Sequence, residues 1–168
     1  MDHAPFMQKA LALAKQALAA GEFPAACILV DAGCIIASGS RTGTIENRFN
    51  ETDHAEMLAL RNLNQLPAPA VSGSLIAYCT LEPCLMCFGA LLISGVANIV
   101  YAYEDAMGGG TRCDLSRLPP LYQDLSIAVV PHILRADSLE LFKTYFSNPK
   151  TVYLKQSFLA AYTLKQRL

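Results

Sequence analysis

The sequence is poor in charge and contains no tryptophan. Of its 168 residues, 16% are charged and 8% are aromatic, and the net charge at pH 7 is −1. A balance so close to neutral provides no overall electrostatic attraction to a polyanion. The composition therefore does not predict a general nucleic-acid-binding surface, although local basic patches are compatible with it.

Long apolar runs, internal repeats and low-complexity segments are also missing. No run reaches the roughly 18 residues that a membrane-spanning helix needs, and the N-terminal segment lacks the basic-then-apolar layout of a secretory signal. We therefore expect a cytoplasmic protein with no membrane partner. The length favours one domain over residues 1–168. The hydrophobic fraction of 53% slightly exceeds the usual value of about 45–50%, which favours a buried subunit interface.

Six cysteines are present, but their positions do not predict a disulfide framework. Three lie in apolar, strand-like segments, where we expect buried free thiols: Cys27, Cys34 and Cys79. Two others, Cys84 and Cys87, are three positions apart directly after a proline. This pair calls for a different interpretation.

The clearest candidate for a functional motif is the stretch TLEPCLMC at residues 80–87, which an apolar run follows. The pattern predicts a helix that begins near Pro83, a position where proline costs no hydrogen bond. Cys84 and Cys87 would then share one face of the first turn. Free N–H groups and the helix dipole favour thiolate over thiol there. Two thiolates on one turn are half of a zinc site.

A second predicted helix supplies the other half. It opens with HAE at residues 54–56, with Thr52 or Asp53 as the N-cap, and His54 offers an imidazole as the third ligand. One histidine and two cysteines leave the fourth tetrahedral position open, as in catalytic zinc sites. Glu56 projects away from His54, so it is placed to handle the proton of a water at the metal instead of binding the metal.

These motifs resemble the zinc nucleobase deaminases of the cytidine deaminase-like superfamily, whose signature is H-x-E followed by P-C-x-x-C. The resemblance spans about residues 6–146 and is nearest to bacterial tRNA-wobble adenosine deaminases and guanine deaminases. It also includes GEFP at 21–24. It implies one Zn²⁺ per chain held by His54, Cys84 and Cys87, with Glu56 as proton shuttle. Homodimers occur in several members of the superfamily.

The same resemblance implies contacts to the substrate. The backbone near Ala55 and Pro83 would face the base. The other candidate contacts are Pro24, Arg41, Asn47 and Asp105. These residues define the expected walls of a site for a nucleobase-type substrate or a tRNA anticodon loop.

This sequence departs from the tRNA enzymes at three places. They carry Trp-Asn after the second strand, where this chain has Ser-Arg at 40–41 and where Asn47 or Asn50 is the substitute. Their strongly basic terminal helix is replaced by residues 149–168, a predicted helical extension with only four basic residues. Glycines 108–110 stand in a substrate-side loop.

Three functions remain, and these departures favour the first over the second. The first is a hydrolytic deaminase that releases ammonia from a free base, nucleoside or nucleotide, with purine favoured. The second is a tRNA-specific adenosine deaminase that converts wobble adenosine to inosine. The third, from another class, is a non-catalytic scaffold stabilised by zinc.

The predicted order of elements is helix, hairpin, helix, strand, helix, strand, connection, strand, helix, helix. This order predicts an α/β fold, a three-layer α/β/α sandwich with a mixed five-stranded sheet and helices on both faces. The last helix is expected over residues 153–166. The irregular connection at 104–124 leaves the direction of the fifth strand open.

Overall fold

A five-stranded mixed sheet forms the centre of the computed structural model, which describes residues 2–45, 49–66 and 74–168. The strands are β1 (Ala26–Asp31), β2 (Cys34–Ser40), β3 (Leu75–Leu81), β4 (Val96–Tyr103) and β5 (Ala128–Val130). They lie in the order β2-β1-β3-β4-β5. β1 is antiparallel to β2 and β3, whereas β3, β4 and β5 are mutually parallel. The predicted mixed five-stranded sheet is confirmed, and β5 is parallel.

Helices cover both faces of this sheet. They are α1 (Ala4–Ala19), α2 (Ala55–Leu63), α3 (Leu85–Ile93), α4 (Pro120–Gln123), α5 (Arg135–Ser147) and α6 (Phe158–Lys165), with a 3₁₀ turn at Leu115–Arg117. Within the described ranges, no helix is long and apolar enough to cross a membrane.

Alternation along β1 shows how the two faces are filled. Cys27 and Leu29 pack into one cluster with apolar residues of α2 and α3. Ala26, Ile28 and Val30 pack into a second cluster with α1 and α5. Successive strand residues point to opposite faces, so a strand buried along its whole length supplies both cores. The three-layer α/β/α sandwich is the result.

A third cluster lies at one end of the sheet and contains much of the aromatic content. Phe23, Tyr103 and Phe142 form its centre, and the C-terminal segment adds Tyr153 and Leu159. The rings of Phe23 and Tyr153 meet edge to face with centroids 5.6 Å apart. The segment after residue 148 therefore packs into the same structure as the sheet.

Two sequence predictions need correction at this level. The last helix begins at Phe158, not Tyr153, because Ser157 caps it by accepting a hydrogen bond from the N–H of Ala160 and residues 153–156 form turns. Cys34 is exposed, because it begins the edge strand β2, whereas Cys27 and Cys79 are buried free thiols as predicted.

The helix starts near the motifs are also shifted. α2 begins at Ala55 with His54 as N-cap, in place of Thr52 or Asp53, and α3 begins at Leu85 with Cys84 as N-cap, two residues later than predicted. Both N-cap residues have extended backbones, with ψ of 157° and 170°. The chain therefore enters each helix directly after a potential metal ligand.

Candidate active site

Three potential metal ligands meet where α2 and α3 begin. The Nδ1 atom of His54 lies 3.5 Å from the Sγ atoms of both Cys84 and Cys87. All three ligand atoms lie within 4.8 Å of one another. Tetrahedral zinc with ordinary Zn–N and Zn–S bonds would separate nitrogen from sulfur by about 3.5 Å. The two nitrogen–sulfur distances therefore match those of a single tetrahedral zinc ion.

The fold explains why these residues meet. Cys84 follows the carboxyl end of β3, and the parallel strand β4 ends beside it, where Glu82 N–H donates to the carbonyl of Tyr103 at 2.7 Å. Neither His54 nor Cys84 uses its side chain to cap its helix. Both side chains are therefore available to a ligand at the edge where α/β folds place their chemistry.

The two thiols differ in acidity. A hydrogen bond from Cys87 lowers the pKa of Cys84 to about 4, with His54 adding to the effect. The same hydrogen bond, reinforced by burial, raises the pKa of Cys87 above its ordinary value. The pKa of His54 is raised, chiefly by its hydrogen bond to Cys84. Cys84 is therefore the more readily ionised thiol of the pair.

Glu56 is a buried carboxyl in the first turn of α2. Burial raises its pKa above the ordinary value, because desolvation disfavours the charged form. It lines the same cavity as His54 and Cys84. A raised pKa makes this carboxyl a stronger base than an exposed glutamate, which suits it to accept a proton and return it.

The cavity beside these groups has a volume of about 190 Å³. Polar side chains on its wall include Arg41, Glu51 and Asp105. Apolar wall residues come from distant parts of the chain and include Phe23, Leu81, Tyr153, Leu154 and Leu159. The wall of the cavity thus contains potential metal ligands, titratable side chains and apolar side chains.

Only some of the substrate-contact residues predicted from the sequence lie at the cavity. Ala55, Arg41 and Asp105 line the cavity, while the buried residues Pro24 and Pro83 are not among its lining residues. Asn47 lies outside the described residues. The alternative to it, Asn50, instead bonds through its side chain to Asp53 and Thr52.

Sequence reasoning missed the contribution of the C-terminal segment. Tyr153, Leu154 and Leu159 all line the cavity, although none of them was a candidate site residue, and Glu51 lines it as well. Leu154 has a left-handed backbone with φ of 54°. Leucine rarely adopts this conformation, so no local sequence signal places residues 153–154 at the wall.

Glu82 and the glycines at 108–110 support the cysteine loop. Glu82 is buried and accepts hydrogen bonds from the N–H of Asp105 and the hydroxyl of Thr111. The N–H of Gly110 donates to the carbonyl of Pro83 at 2.8 Å. A Cβ at Gly110 would lie 2.6 Å from the backbone nitrogen of Leu85. This approach requires glycine and fixes the loop that carries Cys84.

The open position in the donor set and the buried carboxyl beside it are those of a metal-dependent hydrolase. Residues 1–103 match the family model described as the cytidine and deoxycytidylate deaminase zinc-binding region. The chain belongs to this family. It is accordingly a zinc-dependent hydrolytic deaminase.

Two proteins similar in sequence are described as tRNA-specific adenosine deaminases. The tRNA-specific adenosine deaminase of Streptococcus pyogenes is 28% identical over 141 residues, which cover 84% of this chain and 87% of that protein. The tRNA-specific adenosine deaminase 2 of Xenopus laevis is 32% identical over 111 residues, 62% of each chain. The match thus spans less than two thirds of the Xenopus relative.

Solved structures include this activity and add a second one. One from work on A-to-I editing by tRNA:A34 deaminases has a TM-score of 0.66 and 28% identity, covering 81% of this chain and 97% of that one. The guanine deaminase of Nitrosomonas europaea has a TM-score of 0.64 and 26% identity, covering 83% and 81%. The likeness confirms the deaminase fold in both groups.

Proposed function

We propose that this chain deaminates a small heterocyclic base, free or within a nucleoside or nucleotide, with a purine favoured. The observation that carries the proposal is the meeting of His54, Cys84 and Cys87 with buried Glu56 at one small cavity. A purely structural zinc site has no use for the buried carboxyl of Glu56, which weighs against the non-catalytic scaffold.

In this proposal His54 Nδ1 and the sulfurs of Cys84 and Cys87 hold the metal. Zinc, when bound, lowers the pKa of water enough to supply hydroxide near neutral pH. Glu56 takes the proton of the attacking water and passes it to a ring nitrogen of the substrate. Glu56 later carries a proton to the departing ammonia. Its raised pKa suits both directions of transfer.

The size of the cavity supports a small substrate. Its volume of about 190 Å³ is below the roughly 300–1,000 Å³ of pockets that take drug-sized ligands. Tyr153, Leu154 and Leu159 close one side of it. An anticodon loop must present a flipped base together with its flanking backbone, and these residues leave less room for that backbone.

The wobble adenosine of tRNA is the second candidate, because several relatives are described as tRNA-specific adenosine deaminases. The net charge of −1 weighs against it, since binding to a nucleic acid draws on phosphate neutralisation. A steep decrease in stem-loop affinity with added salt would favour this candidate.

The proposal includes one domain and a homodimer. The helical extension at 149–168 shares the third core cluster with β4 and α5, which supports a single folding unit. Large apolar side chains are exposed on α3 and α4, namely Leu85, Met86, Ile93 and Leu121. Exposed apolar side chains of this size support a subunit interface. Sedimentation of the purified chain would measure the oligomeric state.

Ammonia release from purified, zinc-loaded protein tests the function. The panel contains guanine, adenine, cytosine, their nucleosides and nucleotides, and a tRNA anticodon stem-loop. Turnover of one small molecule, abolished in Glu56→Ala with zinc retained, is the expected result. Turnover of the stem-loop alone would establish the second candidate, and full activity of zinc-loaded Glu56→Ala would overturn the role of Glu56.

A further inference from the structure

Acidic side chains outnumber basic ones on the wall of the cavity. Among the lining residues that the structure describes, Arg41 is the one basic side chain apart from His54, a proposed metal ligand. Four carboxyl groups line the same cavity, and they belong to Glu51, Glu56, Glu82 and Asp105. A ligand that enters this cavity therefore meets more acidic than basic groups.

The guanidinium of Arg41 is already engaged by the protein. Its side chain is 2% exposed, and Nη2 donates to the hydroxyl of Tyr153 at 3.2 Å and lies 3.6 Å from Oε2 of Glu51. The Tyr153 hydroxyl donates to that same oxygen at 2.9 Å. The other terminal nitrogen, Nη1, is buried. Neither terminal nitrogen of Arg41 is therefore free to pair with an anionic ligand.

Glu51 is different from the other carboxyl groups because it is exposed. Its side chain is 63% exposed and also lines the cavity, so it lies where the cavity meets solvent. Its contacts with Arg41 and Tyr153 use Oε2 alone. Glu51 thus occupies the place at Arg41 where an anionic group of a ligand would otherwise pair.

The deeper carboxyl groups already disfavour negative charge around them. Burial raises the pKa of Asp105, and the charge of Glu82 adds to that increase. Burial also raises the pKa of Glu56. An anionic group on a ligand would be subject to the same desolvation and to the same repulsion by its neighbours.

We propose that the cavity excludes anionic substrates and that Glu51 is the residue that selects against them. The inference rests on the proposed deaminase function and narrows its substrate to an uncharged base or nucleoside without phosphate. A phosphate carries about two negative charges at neutral pH. At this wall it would face carboxylates, and the one cation near it is already paired with Glu51.

Pairs of ligands of equal size isolate the effect of charge. Purine-6-carboxylate and purine-6-carboxamide differ in charge but hardly in shape, and the same holds for uracil-6-carboxylate and uracil-6-carboxamide. Calorimetric titration of zinc-loaded protein measures their affinities without turnover. We expect wild type to bind the carboxamide of a pair about 10- to 100-fold more tightly than the carboxylate. Added salt should reduce this preference, because it screens an exposed charge such as Glu51.

Glu51→Gln keeps the shape of the side chain and an acceptor for the Tyr153 hydroxyl, but it removes the charge and leaves Arg41 without its counter-charge. It should reduce the preference for the carboxamide by at least about fivefold. Glu51→Asp, which keeps the charge, should retain most of it. The matched control is Glu140→Gln at an exposed position of α5, which should behave as wild type. A merely structural role of Glu51 would produce no preference that depends on salt.

The outcomes separate this inference from the proposed function. Equal affinities for the two members of each pair in wild type, an unchanged preference in Glu51→Gln, or failure of all four ligands to bind would overturn selection by charge and leave the deaminase function standing. Faster release of ammonia from a 5′-monophosphate than from its nucleoside and base would do the same. Absence of ammonia from every substrate in the panel would overturn the proposed function, while the titrations would still decide the role of Glu51.

Discussion

At the scale of single residues, two of the three proposed zinc ligands occupy the N-cap position of a helix. An N-cap side chain usually accepts a hydrogen bond from the first turn, and serine, threonine, aspartate or asparagine serves best. His54 and Cys84 make no such bond. Capping is therefore given up where a ligand is needed, and the proposed metal compensates for the loss.

Cys84→Ser separates capping from metal binding. Serine is a favoured N-cap but a poor zinc ligand, so we expect loss of zinc with α3 intact, whereas Cys84→Ala should lose zinc and unfold more easily by about 0.5–2 kcal/mol relative to Cys84→Ser. Metal analysis and urea unfolding of zinc-free proteins measure the two effects. Cys34→Ser, at an exposed thiol, should retain one zinc per chain. Full zinc content in Cys84→Ser would exclude Cys84 as a ligand.

Gly39 controls the position of α2. An added Cβ there would contact the carbonyl oxygen of Ala55 and lie 2.6 Å from the nitrogen of Ala59. Gly39→Ala must therefore push α2, and with it His54, away from the sheet. Overpacking of this kind costs about 1–3 kcal/mol, and we expect weaker zinc binding as well.

Gly89 provides the matched control, because a Cβ at that position meets no atom within 4 Å. Gly89→Ala lies inside α3 and should stabilise the protein by about 0.5–1 kcal/mol. Chemical unfolding and zinc titration of both variants measure the contrast. Equal stability of the two variants would show that β2 and α2 can separate without cost.

At the scale of elements, Glu104 joins the end of β4 to α5 and α6. It accepts hydrogen bonds from Arg135 at 2.7 Å and from the hydroxyl of Tyr162 at 2.9 Å, and His132 lies 3.5 Å from it. Burial alone would raise the pKa of Glu104, but the hydrogen bonds from Arg135 and Tyr162 lower it below its ordinary value of 4.5.

This lowered pKa makes the docking of α6 sensitive to acid. Because the folded state binds fewer protons than the unfolded state, the stabilisation is present above pH 4.5 and is lost as pH falls through the lower folded value. Glu104→Gln should cost about 1.5–3 kcal/mol at neutral pH, and the difference from wild type should shrink below pH 4.5. Urea unfolding across pH 3–7 tests this. The control is Glu140→Gln at an exposed position, whose stability difference from wild type should not change with pH.

The sequence predicts elements whose signals are local. The motifs around His54 and Cys84 encode ligand types and spacing, and the alternation of β1 encodes burial on both faces. The helix starts at the two motifs were misplaced by one or two residues, because no particular residue type marks an extended N-cap backbone. The wall at Tyr153 was missed for another reason: its contact with Arg41 joins residues 112 positions apart, and no local pattern records such a pairing.

At the scale of the whole molecule, the active-site cavity lies between the catalytic motifs and the C-terminal segment. The third core cluster connects that segment to β4 and α5 through Tyr103 and Phe142. The hydroxyl of Tyr103 also pairs with that of Thr163 at 3.0 Å. The contacts that pack the terminal segment against the sheet therefore also place its residues on the wall of the cavity.

Leu159→Ala tests this coupling, because Leu159 is 1% exposed and also lines the cavity. Removing a buried leucine side chain costs about 2–5 kcal/mol. We expect this loss in urea unfolding, together with a higher ratio of guanosine to guanine turnover, because the enlarged cavity admits a ribose. Leu164→Ala changes a 47% exposed leucine of the same helix and should alter neither quantity appreciably. A destabilised Leu159→Ala with an unchanged ratio would mean that α6 supports the fold without limiting substrate size, and the argument for a small substrate would then lose the steric support of Leu159.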